Sequence, residues 1–290
     1  MKQPRRTWLF VPGADESAHE AARQSSAHVL IQELEDFTPP ALREKARSLA
    51  RDLYAQWRAA GKVAAVRVNP LETCGRDDLA AVLPAKPDIV MMSKVAKPEQ
   101  VRALAEIAGS IVELVPNIES AAGLVRTIDI AYAARNVTAA LMASEDMVAD
   151  LGAARTREGG ELAYARARFL VECRAAGIEA IDCPYTFSDS RGAAKDARYA
   201  KALGYRAKSL VSPAHADAVN RAFAPSASEL AHARRVVSEF EKARASGQER
   251  ASVDGALIEV PIYAAAKRLL ESQGTYPITR PGKFFRSQTK

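Results

Sequence analysis

Four charged residues stand where short apolar runs of this chain end. HVLIQELED ends at Asp36, AAVRVN carries Arg67, IVELVPNIE ends at Glu119 and VTAALMASED ends at Asp146. In a parallel α/β protein the carboxyl ends of all strands open onto one rim, so these side chains are expected to face a common mouth. This arrangement is typical of an active site.

The rest of the sequence alternates between strand and helix character. Eight apolar or β-branched runs are each followed by a segment of helical composition, which predicts a (β/α)8 TIM barrel. Two connecting helices are clearly marked, at 40–60 before Gly61 and at 98–108 before Gly109. The predicted strands cover residues 7–12, 28–35, 64–69, 88–94, 111–118, 137–143, 178–183 and 205–211.

Composition limits the possible partners. The chain has 290 residues, of which 48% are hydrophobic and 26% charged, as expected for one large globular α/β domain. Its net charge of +6 is spread along the length, which suits an anionic small molecule such as a polycarboxylate or a phosphate-bearing coenzyme, or simply solubility. The sequence has neither a basic stripe nor a window as apolar as a membrane span, so nucleic acid and membrane are not expected partners.

Known signatures exclude further classes of protein. Cys74, Cys173 and Cys183 have no CxxC spacing and are odd in number, so neither a structural zinc site nor a disulfide framework is indicated, and a cytoplasmic location is expected. The four histidines form no ligand pattern. The G-x-S-x-G, P-loop and G-x-G-x-x-G signatures are absent, which argues against a serine hydrolase or a nucleotide-binding enzyme.

Two segments are not needed to close a barrel. The glycines and mixed charges of LGAARTREGG at 151–160 predict a mobile loop near the mouth, a candidate lid. The sequence predicts a barrel domain at 1–225 and a C-terminal helical extension at 226–290. The apolar helix of that extension is expected to pack on, or reach into, a neighbouring subunit.

Nine segments in register resemble one known family. They are RTWLFVPG, LEDFTPPALREKAR, VRVNPL, MMSKV, PNIESAAGL, SEDMVADLG, AIDCPY, KALGYRAKSLVSPAHADAVNRAF and VDGALI. Over nearly the whole chain they are similar to the citrate lyase β-subunit-like proteins of the HpcH/HpaI aldolase superfamily. The resemblance implies a (β/α)8 barrel, usually a homo-trimer or a hexamer built from two trimers. It also implies the use of Mg²⁺ to cleave or form a carbon–carbon bond in a hydroxyacyl thioester.

The resemblance assigns roles to five residues at the predicted mouth. Glu119 of the I-E-[TS] motif and Asp146 of the G-A-E-D motif would bind the metal. Arg67 of V-R-V-N would bind the substrate, and Asp36 of L-E-D would face the metal region, with an outer role holding a water molecule. Lys94 of the P-K-V motif is a candidate for binding the phosphates of coenzyme A.

Asp254 is the sixth candidate. It lies in VDGALI, which resembles the family's V-D-G-x-M-I segment, whose aspartate crosses to the mouth of a neighbouring protomer as an acid–base residue. The alternative is an ordinary Asp-Gly turn. If the family role holds, an isolated monomer should be inactive, because part of the proton chemistry would come from outside it.

The chemistry of these residue types agrees with the implied roles. Mg²⁺ typically takes one or two protein carboxylates and leaves its other positions to water and substrate. Glu119 and Asp146 end successive strands, which lie roughly 5 Å apart, so both could reach one ion. Arg67 can direct two donors at the oxyanion of a thioester enolate. The alternatives are helix capping for the carboxylates, an ion pair with Asp36 for Arg67, and a rim salt bridge for Lys94.

Three departures from the family pattern fall at the rim. The family's L-D-L-E-D begins Gln32-Glu33 here, its H-P reads Ser212-Pro213, and its G-A-E-D begins Ala143-Ser144. Because these changes lie where the substrate would bind, the sequence does not determine which substrate is used. The leading hypothesis is a Mg²⁺-dependent lyase that converts a short 3-hydroxyacyl-CoA, such as malyl-CoA or citramalyl-CoA, to acetyl-CoA and a 2-oxoacid. The alternatives are a citrate lyase β subunit acting on an acyl-carrier thioester, and a non-catalytic binding protein on the same barrel.

Overall fold

The chain forms two units in a computed structural model that describes residues 5–248 and 250–272. The first unit runs from Arg5 to Phe223 and the second begins at Ala224. The end of the expected C-terminal extension, 273–290, lies outside the described residues. None of the described helices combines the length and the apolarity that crossing a membrane would require.

The first unit is a closed barrel of eight parallel strands in sequential order, so the predicted (β/α)8 fold is confirmed. All eight predicted strands exist, and most end one or two residues inside their predicted bounds because pairing stops where the chain turns into the connecting loops. The strands are β1 (Thr7–Pro12), β2 (Val29–Glu33), β3 (Val63–Val68), β4 (Ile89–Met92), β5 (Glu113–Ile118), β6 (Ala139–Met142), β7 (Glu179–Asp182) and β8 (Ala207–Leu210).

Helices surround the barrel between successive strands. The predicted stops at Gly61 and Gly109 are both glycines with positive φ, of 74° and 78°. The helices of this unit are α1 (Glu16–Gln24), α2 (Arg43–Ala59), α3 (Gly75–Val82), α4 (Pro98–Ala108), α5 (Ala121–Leu124), α6 (Thr127–Tyr132), α7 (Glu145–Asp150), α8 (Ala163–Ala176), α9 (Ser190–Leu203) and α10 (Ala216–Phe223). Short 3₁₀ turns lie at Pro40–Leu42, Leu83–Ala85, Gly160–Leu162 and Pro213–His215.

The apolar core of the barrel has two layers. An inner cluster takes alternate residues from all eight strands, among them Phe10, Ile31, Ala65 and Val115, and fills the barrel interior. A larger outer cluster lies between the strands and the helices. Because side chains alternate along a strand, a residue two positions after an inner-layer residue points toward the barrel axis at the carboxyl rim.

The second unit contains two helices and a β-hairpin. Its elements are α11 (Ala227–Ala245), β9 (Ala251–Val253), β10 (Ala256–Ile258) and α12 (Val260–Ser272). The hairpin turns at Asp254 and Gly255, which have φ of 53° and 79°, the paired positive values of an Asp-Gly turn. Val236, Val253 and Ile258 belong to the small core of this unit.

Candidate active site

An arginine surrounded by carboxylates occupies the carboxyl end of the barrel. Arg67 lies two positions after the inner-layer residue Ala65 on β3, and Glu33 lies two positions after Ile31 on β2. Both side chains therefore point toward the barrel axis. The two are register partners, and Arg67 Nε donates to Glu33 Oε1 at 2.9 Å. The guanidinium carbon lies 4.7 Å from the centre of the Phe10 ring. Arg67 is therefore held by a charge on one side and an aromatic face on another.

The terminal nitrogens of Arg67 contact further acidic residues. Nη2 lies 3.2 Å from Glu35 Oε2 and 4.0 Å from Asp36 Oδ2, and Nη1 lies 3.6 Å from Glu119 Oε1. Burial alone would lower the pKa of Arg67, but the surrounding carboxylates, led by Glu33, outweigh it and raise that pKa. The guanidinium therefore remains charged.

Glu119 is a buried carboxylate whose oxygens make no hydrogen bond of good geometry within the described part of the chain, although the Asn117 side chain lies near enough to lower its pKa. It follows the last residue of β5, is 3% exposed, and neither of its side-chain oxygens has a hydrogen-bond partner among the described residues. Burial raises the pKa of Glu119 to about 7; Arg67 opposes the rise and the charge of Asp146 adds to it. Leaving a buried carboxylate unsatisfied is costly, and a bound cation would remove that cost.

Asp146 lies on the neighbouring segment, as the second residue of α7 after β6. It is half-buried and couples electrostatically to Glu119, so the structure brings the two predicted metal ligands to one side of the mouth. Glu145 is engaged elsewhere: its Oε1 accepts from Thr186 Oγ1 at 2.8 Å and from Arg155 Nε at 3.2 Å. Of the two adjacent carboxylates, Asp146 is the one available to a ligand.

Two carboxylates fit Mg²⁺ better than a metal that needs a complete protein cage. Within 5–248 and 250–272, no three His, Cys, Asp or Glu side chains are grouped so as to hold an ion by themselves. Mg²⁺ does not need such a group, since it keeps water and substrate oxygens in several positions. The unsatisfied oxygens of Glu119 beside Asp146 are the observation that fits this ion.

Lys94 and Asp36 form the outer edge of the cluster. Lys94 has a left-handed backbone, with φ of 55°, and its Nζ pairs with Glu35 and lies 3.7 Å from Asp36 Oδ1. These contacts correspond to the rim salt bridge that the sequence left as the alternative for Lys94. Its side chain is nevertheless 48% exposed, which leaves it accessible to an entering anion.

The arginines of the 151–160 loop make ion pairs and ring contacts, and the mobility predicted for this loop stays a prediction. Arg155 Nη1 pairs with Glu161 Oε1 at 2.8 Å, and Arg157 Nη1 pairs with Asp189 Oδ2 at 2.8 Å. The ring of Phe187 lies 5.5 Å from the guanidinium carbon of Arg155 and 4.6 Å from that of Arg157. Phe187 and Asp189, which are remote in sequence, therefore connect the loop to the segment after β7.

Asp254 lies in the second unit, at the hairpin turn. Its two carboxylate oxygens accept from Arg235 Nη1 and Nη2 at 2.9 and 2.7 Å, and both side chains are more than half exposed. The Asp-Gly turn expected as the alternative is present. An exposed pair of this kind contributes little to stability, so the position is free to serve another purpose.

Sequence reasoning missed part of the cluster. Glu35 was not selected, and Glu33 was treated only as a departure from the family pattern, yet both contact Arg67. Asn117, which points inward before Glu119, has a buried amide without a hydrogen-bond partner among the described residues. Strand register would have identified Glu33 and Asn117, because each lies two positions after an inner-layer residue.

Comparisons with known proteins agree with the fold and identify the family. The model of the HpcH/HpaI aldolase/citrate lyase family matches residues 6–213. The citrate lyase subunit beta of Escherichia coli is 33% identical over 92% of this chain and 92% of its own length. A (3S)-malyl-CoA thioesterase of Cereibacter sphaeroides is 31% identical over 92% of this chain and 94% of its own. The chain belongs to the HpcH/HpaI aldolase/citrate lyase family.

A solved structure adds ligands to this comparison. The protein CitE from Mycobacterium tuberculosis, in complex with magnesium, acetoacetate and coenzyme A, superposes with a TM-score of 0.77 and is 25% identical, covering 94% of this chain and 99% of that one. The fold of this chain is therefore shared with a protein whose structure contains magnesium, acetoacetate and coenzyme A.

Proposed function

We propose that this protein is a Mg²⁺-dependent carbon–carbon lyase acting on a short 3-hydroxyacyl-CoA. The observation that carries the proposal is the pairing of an unsatisfied buried carboxylate, Glu119, with the coupled carboxylate of Asp146 beside a fixed guanidinium. Glu119 and Asp146 would hold the ion, which supplies Lewis-acid polarisation of the hydroxyl and carboxylate oxygens of the acid portion. The Mg²⁺ and coenzyme A found in the Mycobacterium tuberculosis CitE complex support these ligands.

Arg67 has the requirements of an oxyanion-binding residue. Among the described residues its only hydrogen bond is from Nε to Glu33; its Nη groups form longer ion pairs with nearby carboxylates, and each carries a further N–H that could donate to a substrate oxygen. Cleavage breaks the bond between the carbinol carbon and the carbon next to the thioester, and negative charge moves onto the thioester oxygen. A preorganised guanidinium lowers the energy of that enolate without reorienting during the reaction.

Two protons move in this reaction. The hydroxyl loses one as the 2-oxoacid forms, and the enolate carbon gains one as acetyl-CoA forms. We assign the acid–base role to Asp254 of a neighbouring protomer in a trimer or hexamer, on the resemblance of VDGALI to the family segment. Asp36 would orient Arg67 and water at the rim, and Lys94 would meet the phosphates of coenzyme A.

A second candidate reaction is hydrolysis of the thioester, favoured by the relatives named (3S)-malyl-CoA thioesterase. The two reactions give different products: cleavage yields acetyl-CoA and a 2-oxoacid, whereas hydrolysis yields free coenzyme A and a hydroxy acid. The citrate lyase β subunit relatives favour a third substrate form, a thioester on an acyl carrier.

The test is a substrate screen that separates these outcomes. Malyl-CoA and citramalyl-CoA are incubated with the protein, with Mg²⁺ or with EDTA, and acetyl-CoA, free thiol and trapped 2-oxoacid are quantified. The proposal predicts equal amounts of acetyl-CoA and oxoacid that require Mg²⁺ and are lost in Glu119→Ala and Asp146→Ala. Release of free thiol together with a hydroxy acid would instead show that the protein is a thioester hydrolase. Metal-dependent oxoacid binding without any product would indicate a non-catalytic binding protein.

A further inference from the structure

Asp150 links the two segments that carry Glu119 and Asp146. It is the last residue of α7, and its Oδ2 accepts from the backbone N–H of Ala121 at 2.7 Å. Ala121 is the first residue of α5 and lies two positions after Glu119. A carboxylate on the segment after β6 thus holds the backbone of the segment after β5.

This bond closes a ring that contains both proposed metal ligands. On the barrel side, the backbone N–H of Ala143 donates to the carbonyl of Ile118 at 3.1 Å, which extends the pairing of β5 with β6. On the outer side, Asp150 joins Ala121. Glu119 lies between Ile118 and Ala121, and Asp146 lies between Ala143 and Asp150. The spacing of the two ligands is therefore set from both ends.

The bond also satisfies a group that the local sequence leaves without a partner. The first N–H groups of a helix have no acceptor within the helix. Ser120 caps α5 by accepting from Gly123, and Asp150 supplies an acceptor for Ala121. The bond lies at the surface, and the charge of Asp150 shortens and strengthens it relative to a neutral acceptor.

We propose that Asp150 is a positioning residue that fixes the separation of Glu119 and Asp146. This inference rests on the proposed Mg²⁺ site. A group that hydrogen-bonds a metal ligand directly is typically worth about 10-fold or more in metal affinity, and Asp150 acts one step further out, on the backbone two residues after Glu119. Asp150 acts through the backbone at Ala121 and through α7.

The experiment compares three variants of the full chain. Asp150→Ala removes both the acceptor and the charge, and Asp150→Asn removes the charge but keeps an oxygen that can accept. Ala121→Pro removes the donor: proline is favoured at the first helical position, and the preceding Ser120 has the extended backbone, φ −142° and ψ 159°, that proline requires. Asp129→Ala, an exposed carboxylate on α6, is the matched control for loss of charge.

Mg²⁺ affinity is measured by calorimetry at fixed pH and ionic strength. We expect Mg²⁺ affinity to be weaker by about 3- to 10-fold in Asp150→Ala and Ala121→Pro, within about 2-fold of wild type in Asp150→Asn, and unchanged in Asp129→Ala. The double variant Asp150→Ala, Ala121→Pro should bind Mg²⁺ no more weakly than either single variant, because both substitutions remove the same hydrogen bond. Equal losses in Asp150→Ala and Asp150→Asn would overturn the proposal in favour of a simple charge effect.

A metal-free measurement separates this inference from the proposed function. Amide hydrogen exchange at Ala121 without Mg²⁺ should be faster in Asp150→Ala and close to wild type in Asp150→Asn. If the wild type binds no Mg²⁺, the proposed function fails, whatever this exchange shows. If the wild type binds Mg²⁺ and Asp150→Ala binds it equally well, only the positioning role is overturned.

Discussion

Glu33 and Arg67 are register partners on adjacent strands, joined by a buried ion pair of 2.9 Å at the mouth of the barrel. The same Glu33 carboxylate accepts from the backbone N–H groups of Glu35 and Phe37, at 2.8 and 2.7 Å. One side chain therefore orients the guanidinium of Arg67 and shapes the turn after β2.

The first prediction concerns this carboxylate. Glu33→Ala would leave a buried guanidinium short of a partner and two backbone N–H groups without an acceptor, so we expect the free energy of unfolding to fall by about 3 kcal/mol. Urea denaturation at neutral pH measures the change. Glu99→Ala, which removes an exposed partner of Arg102, should cost less than about 0.5 kcal/mol. Equal losses in both variants would contradict the buried role of Glu33.

The second prediction concerns Glu119. In Glu119→Gln the metal-free protein should be more stable than wild type at pH 8, by about 1 to 3 kcal/mol, because the raised pKa shows that burial disfavours the charged form. Added Mg²⁺ should raise the Tm of the wild type but not of this variant, since a ligand stabilises only the state that binds it. Thermal unfolding with EDTA or with Mg²⁺ tests both parts, and a variant with an unchanged Mg²⁺ response would exclude Glu119 as a ligand.

The third prediction gives the pH dependence of this effect. The folded-state pKa of Glu119, about 7, lies above the usual 4.5, so the folded protein holds a proton that the unfolded chain has released between these values. The stabilisation of the folded state by this proton is fully present below pH 4.5 and is lost as the pH rises through 7. The stability advantage of Glu119→Gln over the wild type in EDTA should therefore grow by about 2 kcal/mol between pH 5.5 and 8. A constant difference would refute the raised pKa.

Sequence periodicity was sufficient for the barrel because each strand and each helix stop is encoded locally, as at Gly61 and Gly109. The mouth was predictable in position, since strand ends share one rim. The ion pairs at the mouth could not be predicted, because they depend on which strands are neighbours. Glu33 lies opposite Arg67 only because β2 pairs with β3. The fastening of the 151–160 loop likewise depends on Phe187, a residue remote in sequence.

The fourth prediction concerns this loop. The ring of Phe187 contacts both guanidinium groups of Arg155 and Arg157, and each such contact contributes about 0.5 to 2 kcal/mol. Phe187→Ala should release the loop and accelerate trypsin cleavage after the two arginines by about 10-fold, the effect of roughly 1.4 kcal/mol. Mass spectrometry of a limited digest locates the cuts. Tyr164→Ala, which removes an exposed aromatic ring from α8, should leave the rate unchanged.

A fifth prediction tests whether active sites are shared between subunits. If Asp254 acts in the mouth of a neighbouring protomer, Asp254→Ala and Glu119→Ala are each inactive alone but complement each other in mixed oligomers. In oligomers selected to contain both variants, an intact Glu119 meets an intact Asp254 at about a third of the sites of a trimer, or about a quarter of those of a hexamer, so that fraction of wild-type activity should return. If both residues served the same site within one chain, no mixed oligomer would contain an intact site.

Asp254 has a left-handed backbone that alanine tolerates less well, so Asp254→Ala should cost about 1 kcal/mol of stability without unfolding the chain. Its pair with Arg235 is exposed and adds little to stability, and the adjoining Gly255 remains to support the turn. Co-expression of the two variants with different affinity tags, followed by purification on both, yields mixed oligomers whose composition native mass spectrometry verifies. Mixed oligomers without activity would contradict sharing between protomers, and a fully active Asp254→Ala protein would leave the aspartate only its role in the hairpin turn.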